Sequence, residues 1–235
     1  MMLQLIDNKK NFYFYFFIFL FLTTINFNFN NSKNLISFKI NDISVIGLSH
    51  KNNLIIEQKF NIFKDRNIFT FSKEESKKIL DQFSIIGSYE IKKIYPNKIE
   101  VKLKKTNFLA FTYLENNKYI IGENGKLISL KYSAYNDLDL PLVLASNNYK
   151  KFFHLKKTID ESKFNSQEIE TFYYFQTGRW DLKTKSGLVI KLPNRDIKDA
   201  MNRAHTMIND SKLDKFNILD MRIKNYIITS NEQKL

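Results

Sequence analysis

The groups able to do chemistry in this chain are few and scattered. Its three histidines, His50, His154 and His205, show no His-x-x-x-His or Glu-x-x-His spacing that would turn two ligands toward one metal. His205 falls beside an apolar helical stripe and reads as a core-edge or solvent histidine. Glu74 and Glu75 are adjacent carboxylates, but they fall in the first turn of a predicted helix, where negative charge answers the helix dipole. That reading outweighs an acid–base pair. Asp160 and Glu161 lie in a polar stretch and read as solvated. There is no Gly-x-Ser-x-Gly elbow, and the six glycines form no phosphate loop. With no cysteine, disulfides and thiolate metal sites are excluded. Nothing here makes a positive case for an enzyme, a metal or a cofactor.

The most distinctive stretch is structural. Residues 179–193 read RWDLKTKSGLVIKLP. Arg179 and Trp180 open a strand, Lys185-Ser186-Gly187 reverses it, and a second strand closes on Leu192-Pro193. Trp180 is the single tryptophan. A tryptophan on a hairpin reads as core, and a neighbouring arginine stacks on an aromatic ring or pairs locally. Both are therefore taken as framework in preference to a direct partner contact.

The elements around this hairpin follow from composition and period. The chain has 235 residues, 43% hydrophobic and 15% aromatic, too apolar for a disordered chain and long enough for one or two small domains. A net charge of +13 suggests nucleic acid or an anionic surface. Yet only five of the 37 basic residues are arginine, the residue that reads bases and phosphates bidentately. Together with the abundance of Asn, Ile, Lys and Phe, this points to a lysine-rich solvated surface and not to a nucleic-acid partner.

Residues 12–22 (FYFYFFIFLFL) are apolar without interruption, and Ile25, Phe27 and Phe29 extend that character between asparagines. From Phe12 to Ile25 is 14 residues, short of the roughly 20 that span a bilayer. A span must therefore use residues up to about 31 or thin the membrane. Lys9 and Lys10 precede the run, which keeps the N-terminus cytoplasmic. A cleavable signal peptide is the rival reading. Residues 25–31 offer no small residue for cleavage, which favours an uncleaved anchor over 12–31 behind a tail of residues 1–11.

After the anchor the pattern is β-α-α-β-β over residues 36–106. Residues 38–47 alternate as a strand, and 53–63 place apolar residues at helical spacing. Ser72 and Glu75 form a capping box that opens a helix to Phe83. Residues 85–94 and 99–103 are strands joined by Tyr95-Pro96-Asn97-Lys98, with Ile99, Val101 and Leu103 on the buried face. Residues 107–229 read as a mainly antiparallel β-domain with one or two helices, followed by a tail of 230–235. Strands are expected over 108–113 and 119–128, the latter turning at Asn124-Gly125. One or two helices fall in 146–168, then a strand over 169–175, the Arg179 hairpin, and a helix over 195–211 with an apolar stripe. The last strands are 218–222, containing Asp220-Met221-Arg222, and 226–229. The fold class is α+β.

An apolar anchor, a βααββ module with Tyr95-Pro96-Asn97, the Arg179–Pro193 hairpin and Asp220-Met221-Arg222 together resemble the bacterial FtsQ/DivIB family, whose modules are a POTRA domain and a β-domain. The match covers nearly the whole chain. Gly122-Glu-Asn-Gly125 keeps the final glycine of the family's acid-x-x-Gly hairpin but has Gly122 where the family has Asp. The resemblance implies a single-pass inner-membrane scaffold of cell division, mostly periplasmic and located at the septum. It links early and late division proteins and has no active site. Its implied partners are FtsB-like and FtsL-like proteins and, through them, the septal peptidoglycan synthase. The resemblance also implies where partners bind, by β-augmentation on the C-terminal strand, here Ile223, Tyr226, Ile227, Ile228 and Thr229. Tyr226 and Ile228 would face one side and Ile227 the other. An interior strand is the alternative. Two other functions fit the chain less well. A POTRA-bearing outer-membrane transporter needs a long series of barrel strands, which about 125 residues containing a helix cannot supply. An anchored envelope enzyme needs a catalytic constellation.

Overall fold

The computed structural model describes residues 9–24, 38–130, 135, 138–145, 148–209, 216–223 and 226–231. It forms two compact units, Met1–Phe38 and Lys39–Leu235. The first contains helix α1 (Lys9–Thr24), whose apolar side chains from Phe12 to Leu22 are all exposed. Sixteen residues at 1.5 Å each give about 24 Å, less than the ~30 Å of a hydrocarbon core. Among the described residues no helix is long and apolar enough to cross a membrane. The helix in the region where a span is expected over 12–31 starts at Lys9, and residues 25–31 lie outside the described residues.

The second unit carries two sheets. The smaller has the order β1-β3-β2, with β1 (Asp42–Ile46) parallel to β3 (Lys98–Lys105), and β2 (Ile86–Ile94) antiparallel on the other side. The predicted alternation holds in β3, where Ile99, Val101 and Leu103 are buried. They pack against Ile56 and Phe60 of α2 (His50–Phe60) and Ile79 and Leu80 of α3 (Lys73–Leu80). The helix expected over 53–63 starts earlier and tightens to a 3₁₀ turn at Asn61–Phe63. The strand expected from 38 begins at Asp42, and the pairing of Lys39 with Asn67 is an isolated bridge outside it. The capping box is half formed. Ser72 Oγ accepts the amide of Glu75 at 3.2 Å, but the Glu75 carboxylate turns to Arg66 at 3.0 Å, a charged donor that outcompetes a backbone amide. Gly47 has φ +112°, and a Cβ there would strike the Leu103 carbonyl.

Among the described residues the larger sheet has nine strands, in the order β12-β11-β10-β9-β8-β7-β4-β5-β6. They are β4 (Phe108–Leu114), β5 (Asn117–Gly122), β6 (Leu127–Ser129), β7 (Leu142–Leu144), β8 (Ile169–Tyr174), β9 (Trp180–Thr184), β10 (Val189–Lys191), β11 (Ile218–Asp220) and β12 (Ile228–Ser230). Three neighbouring pairs are parallel, β4·β7, β7·β8 and β10·β11, so the sheet is mixed, though most of its pairings are antiparallel as expected. The sequence pattern missed β7, a three-residue strand that joins the two halves of the sheet. Its Val143 sits between Thr112 and Phe172 and is fully buried. The tight turn between β4 and β5 was also not foreseen. It uses Glu115 and Asn116, both with positive φ.

Helices α4 (Lys151–Asp160) and α5 (Ile197–Ile208) cover one face. Phe152, Leu155, Ala200 and Met201 pack there with Phe172, Leu182, Ile190 and Leu219. The stretch 146–168 thus contains one α-helix, followed by a 3₁₀ turn at Ser166–Glu168. On the opposite face of β4–β6, Phe111, Ile120, Ile128 and Leu130 form a smaller cluster, with the Lys118 ammonium 3.9 Å from the Phe111 ring centroid.

The two sheets meet at Asn124. Its amide nitrogen donates to the carbonyls of Ser84 at 2.9 Å and Ile86 at 2.8 Å, while its backbone N–H donates to Thr106 Oγ1. Lys126 pairs with Asp81 at 3.6 Å. A Cβ at Gly87 would lie 2.9 Å from the Thr106 Cα, and one at Gly122 would lie 2.6 Å from Asn124 Oδ1. The glycine at 122 is therefore what lets Asn124 sit in this seam.

Candidate partner-binding edge

The C-terminal segment forms one rim of the larger sheet. β12 pairs antiparallel with β11, in the register Ile218↔Ser230, Leu219↔Thr229 and Asp220↔Ile228. In the sheet order β11 is its one neighbour among the described residues. The expected strand over 223–229 is shorter and later than predicted. The Tyr226 N–H donates to the Ile223 carbonyl at 3.1 Å, and ladder pairing begins at Ile228. Residues 224 and 225 lie outside the described residues. The predicted alternation is present: Tyr226 and Ile228 are 68% and 51% exposed, whereas Ile227 packs against the main core. Ile223 is exposed as well.

The hairpin residues build the ladder behind this rim. Trp180 is buried, with its ring 4.8 Å from that of Tyr174. Arg179 donates through Nε to Asp181 Oδ1 at 2.9 Å and stacks over Phe175 with 4.3 Å from Cζ to the ring centroid. Gly187 takes φ +90° in the turn, where its N–H donates to the Thr184 carbonyl at 2.9 Å. Leu192 is buried, and Pro193 starts the loop into α5. The β register places Ile228, Asp220, Lys191, Asp181 and Tyr173 in one cross-strand row. Burial pushes the Asp181 carboxyl above the usual carboxylate range, and Arg179 opposes the shift. The hydrogen bond from Arg222 holds Asp220 below its usual value, with Nε 2.8 Å from Oδ1.

The structure thus brings together Arg179, Asp220 and Arg222, and adds Asp181 and Lys191, which sequence reasoning passed over. Their signal was the alternation that puts them opposite Trp180 and Ile190. Tyr95, Pro96 and Asn97 stand apart in the β2–β3 turn. There the Asn97 carbonyl accepts the amide of Asn41 at 2.9 Å and seats β1 beside β3.

Beside the rim lies a cleft lined by Pro193, Arg195, Asp199, Arg203, Met221 and Arg222. Three of the chain's five arginines line it. The Nε of Arg203 is buried with no hydrogen-bond partner. The described residues contain no group of three or more His, Cys, Asp or Glu able to hold a metal.

Two family models match this chain: "Cell division protein FtsQ/DivIB, C-terminal" over residues 110–222 and "POTRA domain, FtsQ-type" over residues 38–105. Among curated proteins it is similar to the cell division protein FtsQ of Rickettsia prowazekii, 23% identical over 198 residues, covering 81% of this chain and 71% of the relative. It is also similar to FtsQ of Rhizobium meliloti, 24% identical, covering 70% of this chain and 53% of that protein. The cell division protein DivIB of Bacillus subtilis is 23% identical, covering 69% and 63%. Among solved structures, the major extracytoplasmic domain of DivIB from Geobacillus stearothermophilus matches with a TM-score of 0.33 and 13% identity. That match covers 46% of this chain and 99% of that one, a likeness too low to bear on the fold.

Proposed function

This chain belongs to the FtsQ/DivIB family of cell-division proteins, and from that premise we propose that it is a membrane-anchored scaffold of the division septum. In this reading α1 and the residues after it anchor the chain in the inner membrane, with the N-terminus in the cytoplasm and the rest in the periplasm. The chain links early and late division proteins. An FtsB-like segment adds a strand to the outer side of β12, joined by an FtsL-like protein and, through them, the septal peptidoglycan synthase.

The observation that carries this reading is the rim itself: β12 ends the sheet order, and Tyr226 and Ile228 project from it into solvent. An exposed apolar edge is an aggregation hazard unless something pairs with it. Main-chain hydrogen bonds give such pairing its affinity, and alternate side chains give its specificity. The arginine-lined cleft next to the edge suits a carboxylate on the incoming segment, since guanidinium groups bind carboxylates bidentately.

The test is capture of a co-expressed FtsB-like partner, with amide exchange measured in the complex. We expect residues 228–230 to gain protection on binding. Ile227→Pro should abolish capture. Because Ile227 also touches the core, Ile228→Lys provides a second variant that leaves the core intact and should weaken capture. A folded Ile227→Pro chain that binds normally, or unchanged exchange at 228–230, would sink the proposal.

A further inference from the structure

Asn124-Gly125, in the turn between β5 and β6, is the one Asn-Gly dipeptide of the chain. This pair suits attack of a backbone nitrogen on a side-chain amide. Glycine has no Cβ to hinder the approach of its own nitrogen to the preceding side chain, and its backbone reaches conformations closed to other residues. Gly125 has φ +78°, and a Cβ built there would meet nothing within 4 Å, so the turn faces open space.

The same Asn124 amide holds the seam between the two sheets. Its Nδ2 donates to the carbonyls of Ser84 at 2.9 Å and Ile86 at 2.8 Å, and its Oδ1 accepts the backbone N–H of Lys126 at 3.1 Å. The Gly125 N–H carries the proton that must leave before its nitrogen can attack. It donates to the Gly122 carbonyl at 2.9 Å. Leaving group and nucleophile are therefore both tied down in the closed seam, and a local opening frees them.

We propose that Asn124 is a site of spontaneous deamidation and that its conversion uncouples the two sheets. The Gly125 nitrogen gives up its proton and bonds to Asn124 Cγ. The Cγ–Nδ2 bond breaks, and the amide nitrogen leaves with that proton as ammonia. One water molecule then opens the succinimide ring at either carbonyl, giving aspartate or isoaspartate. Water is the only co-reactant. The product lacks what the seam depends on. A carboxylate has no hydrogen to donate, so the Ser84 and Ile86 carbonyls lose both partners, and an unpaired acceptor away from water is destabilising. The new negative charge also faces the oxygen ends of those carbonyls. In the isoaspartate form the turn is longer by one backbone carbon. The closed seam slows the reaction and the reaction opens the seam, so the change runs one way. It depends neither on α1 nor on the β12 rim.

The test is to age the full chain in detergent at mildly alkaline pH in heavy-oxygen water, then to cut it with trypsin. The peptide Tyr119–Lys126 is bounded by Lys118 and ends on Lys126. We expect it to gain the mass of deamidation with one heavy oxygen, in two chromatographic forms, while peptides holding the other asparagines change more slowly. Unfolding in guanidinium chloride should speed conversion at 124 about tenfold or more, because the restraining hydrogen bonds are gone. The chain has no cysteine, so spin labels at Lys77→Cys and Tyr113→Cys report the two sheets alone. Their distance distribution should broaden on ageing, and Asn124→Asp should show the broad distribution without ageing. Three results would each overturn the proposal. One is no mass gain at 124 in the folded chain over a time in which the unfolded chain converts fully. Another is conversion as fast folded as unfolded. The third is a converted chain that keeps the distance distribution of the fresh one.

Discussion

At the scale of single residues, the group under most tension is Asp181. It is nearly buried, its carboxyl is pushed up by burial, and the bidentate Arg179 holds it partly down. A carboxyl whose folded pKa exceeds its unfolded value of about 3.9 leaves the fold more stable when protonated, and that advantage is lost as pH rises through the folded pKa. Arg179→Ala removes the opposing charge and raises that pKa further. We expect the variant to cost about 1.5–3 kcal/mol at neutral pH, the usual range for a hydrogen bond to a charged group. The difference from wild type should shrink toward pH 4, as read by urea unfolding at the two values. Asp220 has the opposite sign. Arg222 depresses its pKa, so its contribution is present above about pH 3.9 and lost on acidification. Asp220→Asn should therefore destabilise at pH 7 and have little effect in strong acid, measured in the same way.

Among the elements, β7 decides whether the larger sheet is one sheet or two. It is only three residues long, yet it is parallel to β4 on one side and β8 on the other, and Thr112 Oγ1 donates to the Val143 carbonyl at 2.9 Å. Proline cannot supply a ladder N–H and belongs on edges. Val143→Pro should therefore lower the thermal midpoint by about 10 °C or more, or prevent folding of the sheet, as followed by circular dichroism, roughly the shift that 2–3 kcal/mol gives a domain of this size. The contrast with β12 is instructive. Both are three-residue strands, but β7 is paired with a strand on each side, whereas β12 has β11 alone as its neighbour among the described residues.

For the whole molecule, Asn124 couples the two sheets. Two carbonyls of the β2 approach, Ser84 and Ile86, depend on one side-chain amide, and Gly87 and Gly122 permit the close approach. Asn124→Ala should cost about 1–3 kcal/mol at this seam while leaving each sheet folded. Spin labels on cysteines introduced at Lys77 and Tyr113 should then show a broader distance distribution by electron–electron double resonance than in the parent chain. An unchanged distribution would place the coupling in the Lys126–Asp81 pair and the backbone connection instead.

Much of this architecture was legible in the chain because it depends on local periods. Alternation in 98–105, the helical stripe of 197–208 and the turn glycine at 187 state their elements directly, and the spacing of Pro96-Asn97, Arg179–Pro193 and Asp220–Arg222 pointed to the family. What the sequence could not determine was long-range. Val143 becomes a strand residue only because Thr112 and Phe172, 31 and 29 positions away, supply its partners, and a three-residue run has too short a period to announce itself. Glu75 abandons its cap because Arg66 comes within reach. Asp181 acquires its raised carboxyl from burial in the assembled sheet, which Arg179, Lys191 and Arg222 oppose. The proposed partner edge shows both sides of this division. The inward and outward alternation of Tyr226, Ile227 and Ile228 follows from the two-residue period of extended chain. That the strand begins at Ile228, and that β11 is its one neighbour among the described residues, follows from the order in which the strands pair, which tertiary structure alone decides.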